Sequence, residues 1–123
     1  MSRTNAKGRV LLVELDREVR TALDEILTRA GLKVTATDDG RAARRLFALR
    51  PDVLITDLRS AAIGAGALVH EMRASAPGCK VVATGTVADH ETLGRRVPAD
   101  KIFTHPIDVE ALVEYVGGSP SVN

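Results

Sequence analysis

Apolar and polar positions follow one another along the chain in two rhythms. Val10-Leu11-Leu12-Val13 is an unbroken apolar run, the pattern of a strand covered on both faces. Asp16 then stands as an N-cap. After it, Val19, Ala22, Leu23, Ile26, Leu27 and Ala30 keep helical spacing up to Gly31, a natural C-terminal stop. Lys33–Thr37 is a shorter strand rich in β-branched residues, and Asp38-Asp39-Gly40 turns the chain into a second helix carrying Ala43, Leu46 and Phe47. That helix must end before Pro51. Asp52–Asp57 holds Val53, Leu54 and Ile55 as a third buried strand.

The second half repeats the alternation. A Gly/Ala-rich loop over Ser60–Gly66 leads to a helix with Leu68, Val69 and Met72, closed by Pro77-Gly78. Lys80–Thr84 is a fourth strand. Val87–Val97 is a helix with a thin apolar face, interrupted by Gly94. Lys101–Thr104 is a short fifth strand, and Asp108 caps a last helix with Val109, Leu112, Val113 and Val116 on one face. Five strands alternating with five helices predict an α/β, three-layer, doubly wound parallel sheet with right-handed crossovers. Functional residues in such sheets lie beyond the carboxyl ends of the strands. Those ends carry Glu14, Leu15 and Asp16 after the first strand, Asp57 after the third, Thr84 after the fourth, and His105-Pro106 after the fifth.

Composition narrows the chemistry. A length of 123 residues suits one domain, expected over 9–117 between an N-terminal tail at 1–8 and a C-terminal tail at 118–123. A net charge of +1 and only 2% aromatic residues, none of them Trp, supply no basis for direct nucleic-acid binding. No apolar stretch is long enough to span a bilayer, so a cytoplasmic protein without membrane contact is expected. Cys79, the single cysteine, cannot close an intramolecular disulfide and reads as a packing residue. His70 and His90 lack a partner at metal-ligand spacing. Gly64-Ala65-Gly66 lacks the Lys-Ser/Thr of a phosphate-binding loop. Arg41, Arg44 and Arg45 on the second helix read as a solvated face.

The segments Val-Leu-Leu-Val-Glu14-Leu-Asp, Pro51-Asp-Val-Leu-Ile-Thr-Asp57-Leu-Arg, Val-Val-Ala-Thr84-Gly and His105-Pro106-Ile-Asp, in that order and spacing, resemble the receiver domain of two-component response regulators of the chemotaxis type. The resemblance runs from Arg9 to about Gly117 and implies a flavodoxin-like sheet of strand order 2-1-3-4-5. It implies that Asp57 is the phosphoacceptor, that Thr84 and His105 stand at the phosphoryl-contact and switch positions, and that Pro106 is the proline of the fifth-strand motif. It also implies an Mg²⁺ site at Glu14 and Asp57, with Asp16 within reach and the Arg59 carbonyl as a further ligand. Leu15 takes the place of the second acidic residue, and His105 takes that of the lysine. The usual loop after the acceptor is replaced by Ser60-Ala61-Ala62, and Ile102 stands where a switching aromatic is common.

These departures bear on the chemistry. A carboxylate attacking a phosphoryl group needs cationic compensation for the charges brought together. Leu15 offers no oxygen to Mg²⁺, and an ordinary imidazole is mostly neutral at pH 7. The expectation is an atypical, degenerate, stand-alone receiver in phosphorelay signalling. It is not an enzyme, and it acts by protein–protein interaction with a weakened Mg²⁺ and phosphoryl site. Expected partners are a histidine kinase or phosphotransfer protein, another signalling protein, or a second copy through the face of fourth helix, fifth strand and fifth helix. A lone His is usually structural, and Pro106 beside His105 fits a rigid turn; the alternative for this residue is a charge-assisted hydrogen bond from His105 to Asp57 that mimics part of the phosphorylated state. The alternative is a small-ligand or nucleotide-binding domain of the same fold.

Overall fold

The computed structural model describes residues 8–63 and 66–117, with side chains except at 40, 41, 44, 61–63 and 66–68. The expected tails, apart from Gly8, and the Arg41 and Arg44 side chains lie outside the described residues. Five strands, β1 (Arg9–Val13), β2 (Lys33–Thr37), β3 (Val53–Asp57), β4 (Lys80–Gly85) and β5 (Lys101–Thr104), form one parallel sheet in the order β2-β1-β3-β4-β5. This is the flavodoxin-like order expected from the sequence.

Alternation of side chains along each strand makes two cores. Leu11, Val13, Leu54, Val81 and Ala83 face one side, where Ala43, Val69 and Met72 cover them. Val10, Leu12, Val53, Ile55 and Val82 face the other, against Leu23, Leu27, Leu112 and Val116. Every residue of β3 is buried, so the strand ending at Asp57 is the most enclosed element of the sheet. At roughly 1.5–3 kcal/mol for each large aliphatic side chain buried, the two cores fix the strand ends that carry the polar groups. Cys79 lies in the first core, where burial above all pushes its thiol up to about 11.

The helical layers are α1 (Arg17–Arg29), α2 (Gly40–Arg45), α3 (Leu58–Ile63), α4 (Gly66–Ser75), α5 (Val87–Leu93) and α6 (Val109–Gly117). Short 3₁₀ turns follow α2 at Leu46–Leu49 and α5 at Gly94–Arg96. Each strand thus leads into one helical connection, five in all among the described residues, the third being divided into α3 and α4. The expected N-caps at Asp16 and Asp108 are present: Asp16 Oδ1 accepts from the Glu18 and Val19 amides, and Asp108 Oδ1 accepts from the Ala111 amide. Gly31 ends α1 with φ +95°, the left-handed conformation that glycine adopts without strain.

One stretch departs from the expectation. The loop foreseen over Ser60–Gly66 is helical through Ile63, and helix resumes at Gly66. Ala61 and Ala62 are strong helix formers, and Asp57 immediately before the segment accepts from the Ser60 amide as a cap. Small residues in a run read as loop filler, yet once capped they continue a helix directly from the strand.

Candidate functional site at the carboxyl edge of the sheet

Register brings the polar groups together. Val13 lies opposite Thr56, Asp57 opposite Thr84, and Gly85 opposite Thr104, so β1, β3, β4 and β5 end along a common edge. Glu14, Asp57 and Thr84 are buried there, at 5%, 8% and 0% exposure. The Glu14 amide donates to the Thr37 carbonyl at 3.0 Å, and the His105 amide donates to the Gly85 carbonyl at 2.8 Å. These bonds continue the ladder into the site.

The Asp57 carboxylate is held by three donors. The Leu15 amide reaches Oδ2 at 3.0 Å, the Ser60 hydroxyl reaches the same oxygen at 2.9 Å, and the Ser60 amide reaches Oδ1 at 2.6 Å. Among the described residues no Lys, Arg or His pairs with this carboxylate. The Arg59 side chain turns instead to Asp89, with Nε 3.6 Å from Oδ1. Asp89 in turn completes a capping box with Thr86 at the start of α5, so Arg59 ties the acceptor turn to the loop after β4.

Glu14 is the perturbed acid of the site. Burial raises its pKa from 4.5 to about 7; the Asp57 and Asp16 charges add to the rise, and the Asp16 amide, donating to Oε2 at 3.0 Å, and Arg20 oppose it. The Arg20 guanidinium donates to the Glu14 backbone carbonyl at 2.8 Å. Thr84 Oγ1 is fully buried and has no hydrogen-bond partner among the described residues. A buried hydroxyl left unpaired costs free energy.

The sequence-expected residues divide accordingly. Glu14, Asp57 and Thr84 come together. Asp16 is committed to capping α1, and Leu15 is 62% exposed, pointing out at the mouth of the site. His105 is half-buried at the end of β5 and precedes Pro106 through a cis peptide bond. The alternative charge-assisted bond between His105 and Asp57 is not formed. Ser60 and Arg20 were not foreseen. The Ser60 contact was hinted at by an Asp three positions before a residue preceding two alanines, whereas Arg20 reaches back six residues to a carbonyl, for which no sequence signal exists.

Mg²⁺ takes six oxygens in near-octahedral geometry, usually with one or two carboxylates among them. Here the carboxylates facing each other are Glu14 and Asp57; among the described residues no group of three or more His, Cys, Asp or Glu side chains is placed to hold a metal ion. Glu14 Oε2 and both Asp57 oxygens already accept hydrogen bonds. A cavity of about 160 Å³ lined by Arg9, Lys33, Leu46 and Leu49 lies at the opposite end of the strands and adds nothing to this site.

A doubly wound sheet with an acidic pocket at its carboxyl edge, a buried Asp at the end of the third strand and a buried Thr beside it defines the receiver class. Residues 10–117 match the response regulator receiver domain family, and the chain belongs to it. It is 33% identical over 109 residues to a response regulator receiver protein of Anaeromyxobacter sp. (strain Fw109-5), a match covering 86% of this chain and 46% of that protein. It is 30% identical over 112 residues to the transcriptional regulatory protein PrrA of Mycobacterium leprae (strain TN), covering 88% of this chain and 48% of that protein. The chain therefore spans about half the length of these relatives. A crystal structure of a response regulator receiver protein from Pseudomonas putida superposes with a TM-score of 0.71 at 25% identity, covering 90% of this chain and 96% of that one. The chain is thus a receiver domain of the response regulators of two-component signalling, a family of signalling domains whose phosphorylation sites typically hold Mg²⁺. Among the described residues no helix is long and apolar enough to cross a membrane.

Proposed function

We propose that this receiver, spanning 9–117, is an atypical one that signals by binding another protein, with Asp57 at the phosphoacceptor position and a weakened phosphoryl site around it. Asp57 is the group a histidine kinase or phosphotransfer protein would address, and Thr84 and His105 are the groups that would meet the phosphoryl oxygens. The observation that carries the reading is the buried Asp57 carboxylate, supported by neutral donors and faced by Glu14, with no cation beside it among the described residues.

Phosphoryl transfer to a carboxylate is governed by positioning and by charge compensation. Glu14 and Asp57 would supply the carboxylates of a divalent-cation site, and without an oxygen from the residue 15 side chain that site is weakened. A half-buried imidazole in place of a lysine further reduces positive charge near the phosphoryl group. The domain then works through its binding surface, the face made by α5, β5 and α6, toward a signalling partner or a second copy, and it turns over no substrate.

The test restores both missing groups. The wild-type chain and the Leu15→Asp/His105→Lys double variant are incubated with Mg²⁺ and acetyl phosphate, and phospho-Asp57 is measured by mass spectrometry. The expected result is little or no modification of the wild type and clear modification of the double variant. Efficient modification of the wild type, or none in the double variant, contradicts the reading.

A further inference from the structure

Resting on the phosphoacceptor reading of Asp57, we propose that Ser60 is a positioning residue that stabilises the unmodified carboxylate, its hydroxyl and the Leu15 amide together engaging Oδ2. Oδ2 receives both of these donors, at 2.9 and 3.0 Å, whereas Oδ1 receives only the Ser60 amide at 2.6 Å. The two oxygens are therefore inequivalent. Oδ1 keeps a lone pair for bond formation, and Oδ2 is engaged on both sides.

The consequence follows from the charge on each form. In the free carboxylate Oδ2 carries about half of a negative charge, and the Ser60 hydroxyl donates a charge-assisted bond. When Oδ1 attacks the phosphorus of acetyl phosphate, the donor's P–O bond breaks, acetate leaves, and Oδ2 becomes the carbonyl oxygen of a mixed anhydride, a weaker, uncharged acceptor. A bond stronger in the reactant than along the path to product slows the reaction. Ser60 thus holds the acceptor in its resting form. Leu15 cooperates without its side chain, since the amide does the binding while the aliphatic group stays 62% exposed. Arg59 leans away to Asp89, so the turn carries no compensating positive charge toward Asp57.

Ser60 lies within α3, where alanine is favoured and the residue 60 amide still reaches Oδ1, so Ser60→Ala removes one hydroxyl and leaves the fold in place. The full chain is compared as wild type, Ser60→Ala and Ser60→Thr, the last restoring a hydroxyl, each also in the Leu15→Asp/His105→Lys background. In that background, acetyl phosphate modifies Asp57 about tenfold faster in Ser60→Ala, the weight of one hydrogen bond to a charged group, and Ser60→Thr returns the rate toward that of Ser60. The carboxyl ¹³C resonance of Asp57 supplies a readout that needs no phosphoryl group: it moves in Ser60→Ala and returns in Ser60→Thr. An unmoved resonance overturns the proposal, as does an equal or slower rate in Ser60→Ala. If no variant forms phospho-Asp57, the phosphoacceptor reading fails, and the resonance alone decides on Ser60.

Discussion

Glu14→Gln is the substitution with the largest effect worked out from the structure. The Glu14 side chain is 5% exposed, and burial lifts its pKa from 4.5 to about 7. A folded-state pKa above the unfolded one means that the folded protein binds the extra proton between those two values. Stability contributed by this group is therefore greatest at low pH and is lost as pH rises from about 4.5 to about 7. At about 1.4 kcal/mol per pH unit, the loss amounts to about 3 kcal/mol, fully developed above neutrality. Gln keeps an oxygen to accept from the Asp16 amide but never ionises, so it behaves like the protonated acid at every pH. Urea unfolding of wild type and Glu14→Gln at pH 5, 6, 7 and 8 measures the difference directly. The variant should be more stable by about 1 kcal/mol or less at pH 5 and by about 3 kcal/mol at pH 8, the gap widening progressively between them. A difference that does not change with pH would refute the reasoning, and so would a variant less stable than wild type at pH 8.

Two further substitutions test the surroundings of the site. Thr84→Val removes a buried hydroxyl that has no partner among the described residues while keeping the branched shape, so stability should hold or rise by about 1 kcal/mol in denaturant unfolding. A loss greater than that would show that the hydroxyl is satisfied in solution. Gly85→Ala places a methyl 3.0 Å from Leu58 Cδ1 and 3.2 Å from Asp89 Cβ, at the junction of β4 with α3 and α5. It should cost about 1–3 kcal/mol by overpacking, read as a lower urea midpoint at unchanged slope.

The fold was legible because its physics is local and repetitive. Runs such as Val10–Val13 and Val53–Ile55, bounded by turns and alternating with amphipathic stretches, admit few architectures other than a parallel sheet between helical layers. Caps at Asp16 and Asp108 were legible for the same reason, since a side chain bonding two or three residues ahead depends on little else. The positions of Glu14, Asp57 and Thr84 followed from the strand ends. Their states did not. The burial that raises Glu14 and the lack of a partner for the Thr84 hydroxyl among the described residues arise from packing depth, and the reach of Arg20 to the Glu14 carbonyl follows no spacing rule. Ser60 was hidden by composition: in an alanine-rich stretch it reads as part of a loop, whereas the Asp57 cap turns that stretch into a helix and aims the hydroxyl at the acceptor. His105 is a different case. Its place in the sequence pointed to Asp57, but its position at the end of β5 leaves that bond unmade.

The central claim is that Asp57 retains the acceptor position while the groups that compensate its charge are reduced. Beryllofluoride with Mg²⁺, which mimics a phosphoryl group on a carboxylate, tests it most directly through the ¹⁵N shifts of the Ser60, Thr84 and Gly85 amides. The account predicts small or no changes in the wild-type chain, and saturating changes centred on these three residues in Leu15→Asp/His105→Lys. Saturating shifts in the wild type at the same concentrations would contradict it, as would a double variant that stays unresponsive.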